Sequence, residues 1–159
     1  GAIVDLADLE DDLRDAWEHE LHKTERRQLV ELLFEAAGRG LKISILSGDV
    51  HVSAAFRMSR GSSVIYQLTS SAITYNLALP MGWALGAGVV DEGESPDGYH
   101  FKRLALYTER NYALITVDAP QGKVEFQLYG PQSVSHPWGA TEDLPVTHSM
   151  MKLELDFKV

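Results

Sequence analysis

Apolar residues recur at every fourth position in Leu9, Leu13, Trp17 and Leu21, with acidic residues between them. That spacing lays one stripe along a helix over residues 9–21, and the early Asp11 and Asp12 complement its dipole. A second helix is expected over residues 25–37. Thr24 would be its N-cap, Leu29, Leu32, Leu33 and Ala36 its apolar face, and Gly38 and Gly40 its end. Residues 41–46 follow as a β-branched run with the length and flanks of a buried strand. Helix, glycine turn and strand make the second half of a βαβ unit. The expected outcome is that the preceding parallel strand belongs to a longer protein, with Gly1-Ala2 an expression scar or the raw end of an excised piece.

Beyond residue 51 the hydrophobic period shortens to two. Strands are expected over residues 52–58 and 64–69, around the turn Arg60-Gly61-Ser62-Ser63. Residues 77–98, glycine-rich and holding Pro80 and Pro96, read as a long irregular connection. Three antiparallel strands are expected at 100–108, 112–118 and 123–129, the last two joined through Ala119-Pro120-Gln121-Gly122. Residues 131–148 read as irregular and 150–157 as a closing strand. The expectation is one α+β domain: 1–40 helical, 41–51 a strand with its motif, 52–159 β-rich.

Composition narrows the functional classes. At 159 residues and 45% hydrophobic, the chain can bury a core of its own. It has no cysteine, so thiolate metal sites and a cysteine nucleophile are excluded. The net charge of -9 argues against a broad nucleic-acid footprint, which needs clustered cations. No apolar run approaches the roughly 20 residues of a membrane span. A phosphate-ester substrate would therefore have its charge met locally, most simply by metal ions.

The string that carries chemistry is Ile45-Leu46-Ser47-Gly48-Asp49-Val50-His51. A strand runs straight into Gly-Asp-x-His, and open α/β sheets place ligands at such strand ends. In an extended segment residues i and i+2 point the same way, so Asp49 and His51 can converge on one cation. The same spacing also suits a turn aspartate capping backbone amides beside an ordinary histidine.

Leu46-Ser47-Gly48-Asp49-Val50-His51, the following Val52-Ser53-Ala54-Ala55 and the stretch from Ile65 through Gln67, Ser70 and Ser71 to Ile73 resemble the C-terminal region of PhoD-like phosphatases. These belong to the calcineurin-like metallophosphoesterase superfamily. Trp17 and Glu25-Arg26 fit the same pattern, which covers residues 11–76. The resemblance implies an α/β fold, the C-terminal part of a four-layer α/β/β/α sandwich. It implies hydrolysis of phosphate mono- or diesters, of the alkaline phosphatase or phosphodiesterase type, by in-line attack of water at a pair of metal ions. The pair would be divalent or trivalent, with Fe, Zn, Mn or Ca as candidates. Asp49 and His51 would be metal ligands and His51 also a catalytic residue. The other ligands would come from Asp-x-His, Gly-Asp and Gly-Asn motifs, none of which occurs ahead of the motif here, so the isolated piece is expected to bind no metal pair and to be inactive.

Arg57 and Asn76 are the candidate substrate contacts. Arg57 and Arg60 equally suit solvent-facing strand and turn positions, and Ser70, Ser71 and Asn76 suit local turn bonds. His19, His22, His100, His136 and His148 are given no role, and Trp17, Trp83 and Trp138 read as packing anchors. Two other functions remain open, a β-rich binding or assembly module and a phosphoesterase fold that has lost its chemistry. Removing neighbouring parallel strands would leave strand 41–46 with an unpaired edge, so self-association is expected.

Overall fold

The computed structural model describes residues 20–48, 53–70, 91–131 and 146–157. The stripe expected over residues 9–21 lies outside them, except for a 3-10 turn at Glu20–His22. Helix α1, Lys23–Gly38, is built mostly of straight-chain residues and alanine that lose little rotamer freedom in a helix. It begins one residue before Thr24, with His22 at the cap position and no side-chain capping bond. Its end is a Schellman motif: Leu41 N–H donates to Ala36 O at 3.2 Å and Gly40 N–H to Ala37 O at 2.9 Å. Gly40 takes the left-handed φ of 93° that this closure needs.

The buried face of α1 differs from the expected one. Phe34 is buried, with Val30, Leu33 and Ala37 packed in the same cluster, whereas Leu29 and Leu32 are 40% and 60% exposed. The row 30, 33, 34, 37 puts the one aromatic ring of the helix into the core, and that rotates Leu32 outward. Arg26 extends the same row, and its Nε donates to buried Asp97 at 2.6 Å.

Among the described residues eight strands form two sheets. The first has the order β1-β3-β2-β5-β4, from Ile43–Ser47, Ser53–Arg60, Ser63–Thr69, Glu92–Glu94 and His100–Tyr107 numbered β1 to β5 along the chain. The second has β6 (Tyr112–Asp118), β7 (Lys123–Pro131) and β8 (Val146–Glu154) in sequence order. The expected run of three antiparallel strands is thus divided: β5 pairs with β2, and β6 opens the other sheet. The short β4 lies inside the stretch expected to be irregular, and β8 starts at Val146 instead of residue 150. β1 pairs parallel with β3 and among the described residues is an edge strand. It is therefore half-buried, with Leu46 exposed, and not the fully buried strand expected.

The five-stranded sheet is a shared wall between two cores, so the described residues form three layers. Alternate residues of β3 divide between its faces: Ile65 joins Met58 and Phe34 under α1, while Val64, Tyr66 and Leu68 meet Ala55, Phe126, Leu128 and Leu155 between the sheets. Both faces of β3 are apolar because both are covered, which explains its nearly unbroken hydrophobic run. Near one end of the interface a Cβ on Gly130 would lie 2.7 Å from Tyr107 Oη and 2.9 Å from Met150 Cγ. Only glycine lets the two sheets approach so closely there.

Candidate functional site

The site is defined by where strands end. β1 and β3 run parallel and finish together at the pair Ser47↔Thr69, while β2 starts at the same level with Ala54 opposite Thr69. β5 finishes there too, since Tyr107 pairs with Ser53. The end of β1 at Ser47 and the start of β2 at Ser53 therefore lie at the same end of the sheet. Asp49, His51 and Asn76, the main candidates from the sequence, lie outside the described residues.

What the structure does describe at this end is a cluster of hydroxyl, amide and carboxylate oxygens, buried at Ser53, Thr69 and Asn111 and exposed at Ser47. Ser47 Oγ and Thr69 Oγ1 are 2.7 Å apart, and Ser70 N–H donates to Ser47 O at 3.2 Å. Asn111 is 1% exposed, as is Ser53. Its Oδ1 accepts from Ser53 Oγ and, at 3.0 Å, from Ser70 Oγ; its Nδ2 donates to Glu109 O at 2.7 Å. Tyr107 Oη donates to Glu109 Oε2 at 3.4 Å, and burial first, then the Glu109 carboxylate, pushes this phenol up to about 12. Asn111, Glu109 and Arg110 were not singled out in the sequence. They belong to the turn between β5 and β6, some sixty residues beyond the motif, and only the strand order brings them to it.

Arg57 is placed elsewhere. It lies on β2 between Tyr66 and Lys102, four residues from Ser53 and so about 13 Å down the strand. It shares the inter-sheet face with Tyr66, whose hydroxyl donates to Asp156 O at 2.6 Å. Burial raises the Tyr66 phenol above its ordinary value, and the Arg57 guanidinium opposes that shift. Arg60 bonds Glu31 at 2.6 Å and sits 4.5 Å over the Phe34 ring. A cavity of about 770 Å³ lies at the opposite end of the sheet, where Lys42 donates to Gly122 O and Lys123 faces Glu154 at 3.5 Å. Its cations are already engaged, and it is remote from the motif.

His100, given no role from the sequence, sits between two carboxylates on the edge hairpin β4–β5. Its Nε2 is 2.9 Å from Glu92 Oε1 and its Nδ1 3.0 Å from Glu94 Oε1. Both ring nitrogens can donate only in the imidazolium, so these bonds, Glu92 first, raise its pKa, while the His100 bond and then the Lys102 charge lower that of Glu92. The raised histidine stabilises the hairpin at acidic pH and loses that effect as pH rises through its folded value; the lowered Glu92 loses its own as pH falls through the carboxylate range. We expect His100 to titrate above an ordinary histidine by NMR, and Glu92→Gln to bring it down. An unshifted wild-type value would contradict this arrangement. Among the described residues no group of three His, Asp or Glu side chains converges as a metal site.

At this end of the sheet a hydrophobic strand therefore runs into Gly-Asp-x-His beside the hydroxyls and amide gathered by Ser47, Ser53, Ser70 and Asn111. Residues 3–81 match the family model of PhoD related phosphatases. Through that half of its length the chain belongs to the PhoD-like phosphatases. No curated protein and no solved structure gave a match. No helix among the described residues is long and apolar enough to cross a membrane.

Proposed function

We propose that this chain contributes the last metal-binding motif of a phosphoesterase, and that the complete protein hydrolyses phosphate mono- or diesters with a pair of divalent or trivalent cations. The observation that carries the reading is positional: the Gly48-Asp49-Val50-His51 string leaves β1 at the end of the sheet where β2, β3 and β5 also present their polar termini, and it lies inside the matched segment.

The donor set suits such cations. Asp49 would offer a carboxylate and His51 an imidazole, and the strand ends flanking them carry the hydroxyls of Ser47, Thr69, Ser53 and Ser70 and the amide of Asn111. Bound cations supply a more acidic water and neutralise charge on the ester oxygens. The chain's own part is to orient: β1 fixes where the motif begins, and the start of β2 fixes where it ends. Asn76 is the proposed substrate contact, whereas Arg57, about 13 Å along β2 from Ser53, supports the inter-sheet face. The helix and two sheets described supply three of the layers of an α/β/β/α sandwich, and a second helical layer over β6–β8 would complete it. The edge of β1, which has no partner strand among the described residues, is where self-association, or pairing with an upstream strand, would take place.

Metal content tests the reading. The complete protein, purified without chelator, should carry about two equivalents of metal, as a two-cation site requires, and lose its phosphate-ester hydrolysis when they are removed. A metal-free protein would instead favour a β-rich binding module.

A further inference from the structure

We propose that Asn111 is a positioning residue for the metal motif, a clamp that locks the two strand ends flanking it. This deepens the reading above and rests on it in one respect only, that the segment clamped is a ligand segment. Asn111 lies outside the part of the chain that the family match covers.

The argument begins with what a buried amide needs. At 1% exposure the Asn111 side chain cannot use bulk water, so its oxygen and nitrogen must be satisfied within the protein. Three of its bonds are made, and they reach three separate places. Ser53 is the first residue of β2, the point where the chain returns from the motif. Ser70 is the residue after β3, and its own N–H is tied to Ser47, the last residue of β1. Glu109 lies in the same turn as Asn111, so its carbonyl holds the amide plane in one orientation.

One side chain therefore couples the entry of the motif, through Ser70 and Ser47, to its exit at Ser53. The anchor is firm because Asn111 directly precedes β6, in the second sheet, and that sheet packs on the first through Phe126 and Leu128. Strand ends normally fray, having few bonds beyond them. A ligand segment between two frayed ends would wander by more than the roughly 0.5 Å that a coordination site tolerates. A single oxygen accepting from both hydroxyls removes that freedom. Tyr107, which pairs with Ser53 and packs over Gly130, closes the same end from the β5 side.

The test has two readouts, amide exchange on the chain as it stands and metal binding on the complete protein. Amide hydrogen exchange in Asn111→Leu should quicken by about tenfold at Ala54 and Ser70, with Phe126 and Leu128 unchanged, because only the local opening becomes easier. Should that variant fail to fold, Ser53→Ala and Ser70→Ala each remove one hydroxyl; the first should quicken exchange at the start of β2 alone and the second at the end of β3 alone. The other readout is the His51 ring NMR signal during addition of Zn²⁺, whose apparent affinity should fall about tenfold in Asn111→Leu, as losses behind metal ligands typically do. Unchanged exchange at Ala54 and Ser70, or equal acceleration through the whole core, would overturn the clamp; local acceleration with unaltered zinc affinity would overturn its positioning role. If Zn²⁺ leaves His51 undisturbed even in the wild-type complete protein, it is the metal reading that fails, and the exchange pattern still decides the clamp.

Discussion

Asp49→Ala and His51→Ala should each lower kcat/KM of the complete protein for a chromogenic phosphate ester by at least about a hundredfold, since the stabilisation at stake in a metal-assisted displacement is several kcal/mol and each 1.36 kcal/mol is a factor of ten. The two losses differ in kind. Asp49 contributes formal negative charge, so removing it weakens retention of a cation, and added metal should restore part of the activity. His51 contributes a neutral donor with a second ring nitrogen available for a proton, so its loss should be less responsive to metal. Stability should change little in either variant, because the strands on both sides are held by their own ladders and by Asn111. Arg57→Ala serves as the contrast. Its place on the inter-sheet face beside Tyr66 leads us to expect a change in stability rather than a comparable loss of turnover. Wild-type turnover in both Asp49→Ala and His51→Ala would remove the phosphatase reading altogether.

Much of the fold was legible because much of it is local. The period-two stretches gave β2, β3, β5, β6 and β7 within a few residues, and Gly40, Gly61 and Gly122 sit at positive φ where the turns were expected. The errors share one cause, which is that tertiary partners outweigh pattern. Leu29 and Leu32 read as a helix face, yet Phe34 fills the space over Met58 and Ile65 and turns the helix. Residues 41–46 read as a buried strand, yet β1 has a neighbour on only one side among the described residues. β4 has three residues, too few for any periodicity, and exists because Glu92, Gly93 and Glu94 pair with Lys102, Phe101 and His100.

The candidate site divides in the same way. Asp49 and His51 announce themselves because strand, glycine and ligands are contiguous in the sequence. Asn111 does not, since Glu109-Arg110-Asn111 reads as an ordinary turn and its meaning depends on β5 running back along β2 to end beside Ser53. Nor could the sequence show that Arg57 faces the second sheet. That orientation follows from the β2–β3 register, which sets Arg57 opposite Tyr66, and a one-residue slip would have reversed it.

The largest loss of stability is expected for Phe126→Ala, about 3–5 kcal/mol, the usual range for deleting a buried aromatic ring. Phe126 is 1% exposed and lies on β7, the central strand of its sheet, flanked by Ile115 on β6 and Leu153 on β8. It faces the wall made by Ala55, Val64, Tyr66 and Leu68, so its ring is the principal filler between the two sheets. A cavity there cannot easily collapse, because its walls are hydrogen-bonded ladders on both sides and closing it would require whole sheets to move. Against a typical total stability of about 5–15 kcal/mol this is a large fraction, and for a domain of this size it corresponds to a fall in Tm of roughly 10 °C. Leu114→Ala is the matched control on the same sheet: Leu114 is 51% exposed on the outer face, where truncations usually stay within about 0.5 kcal/mol. Denaturant unfolding of both variants measures the difference directly. Equal, small shifts in the two would mean that Phe126 does not join the sheets, and with that the firm anchoring of Asn111 through the second sheet would lose its basis.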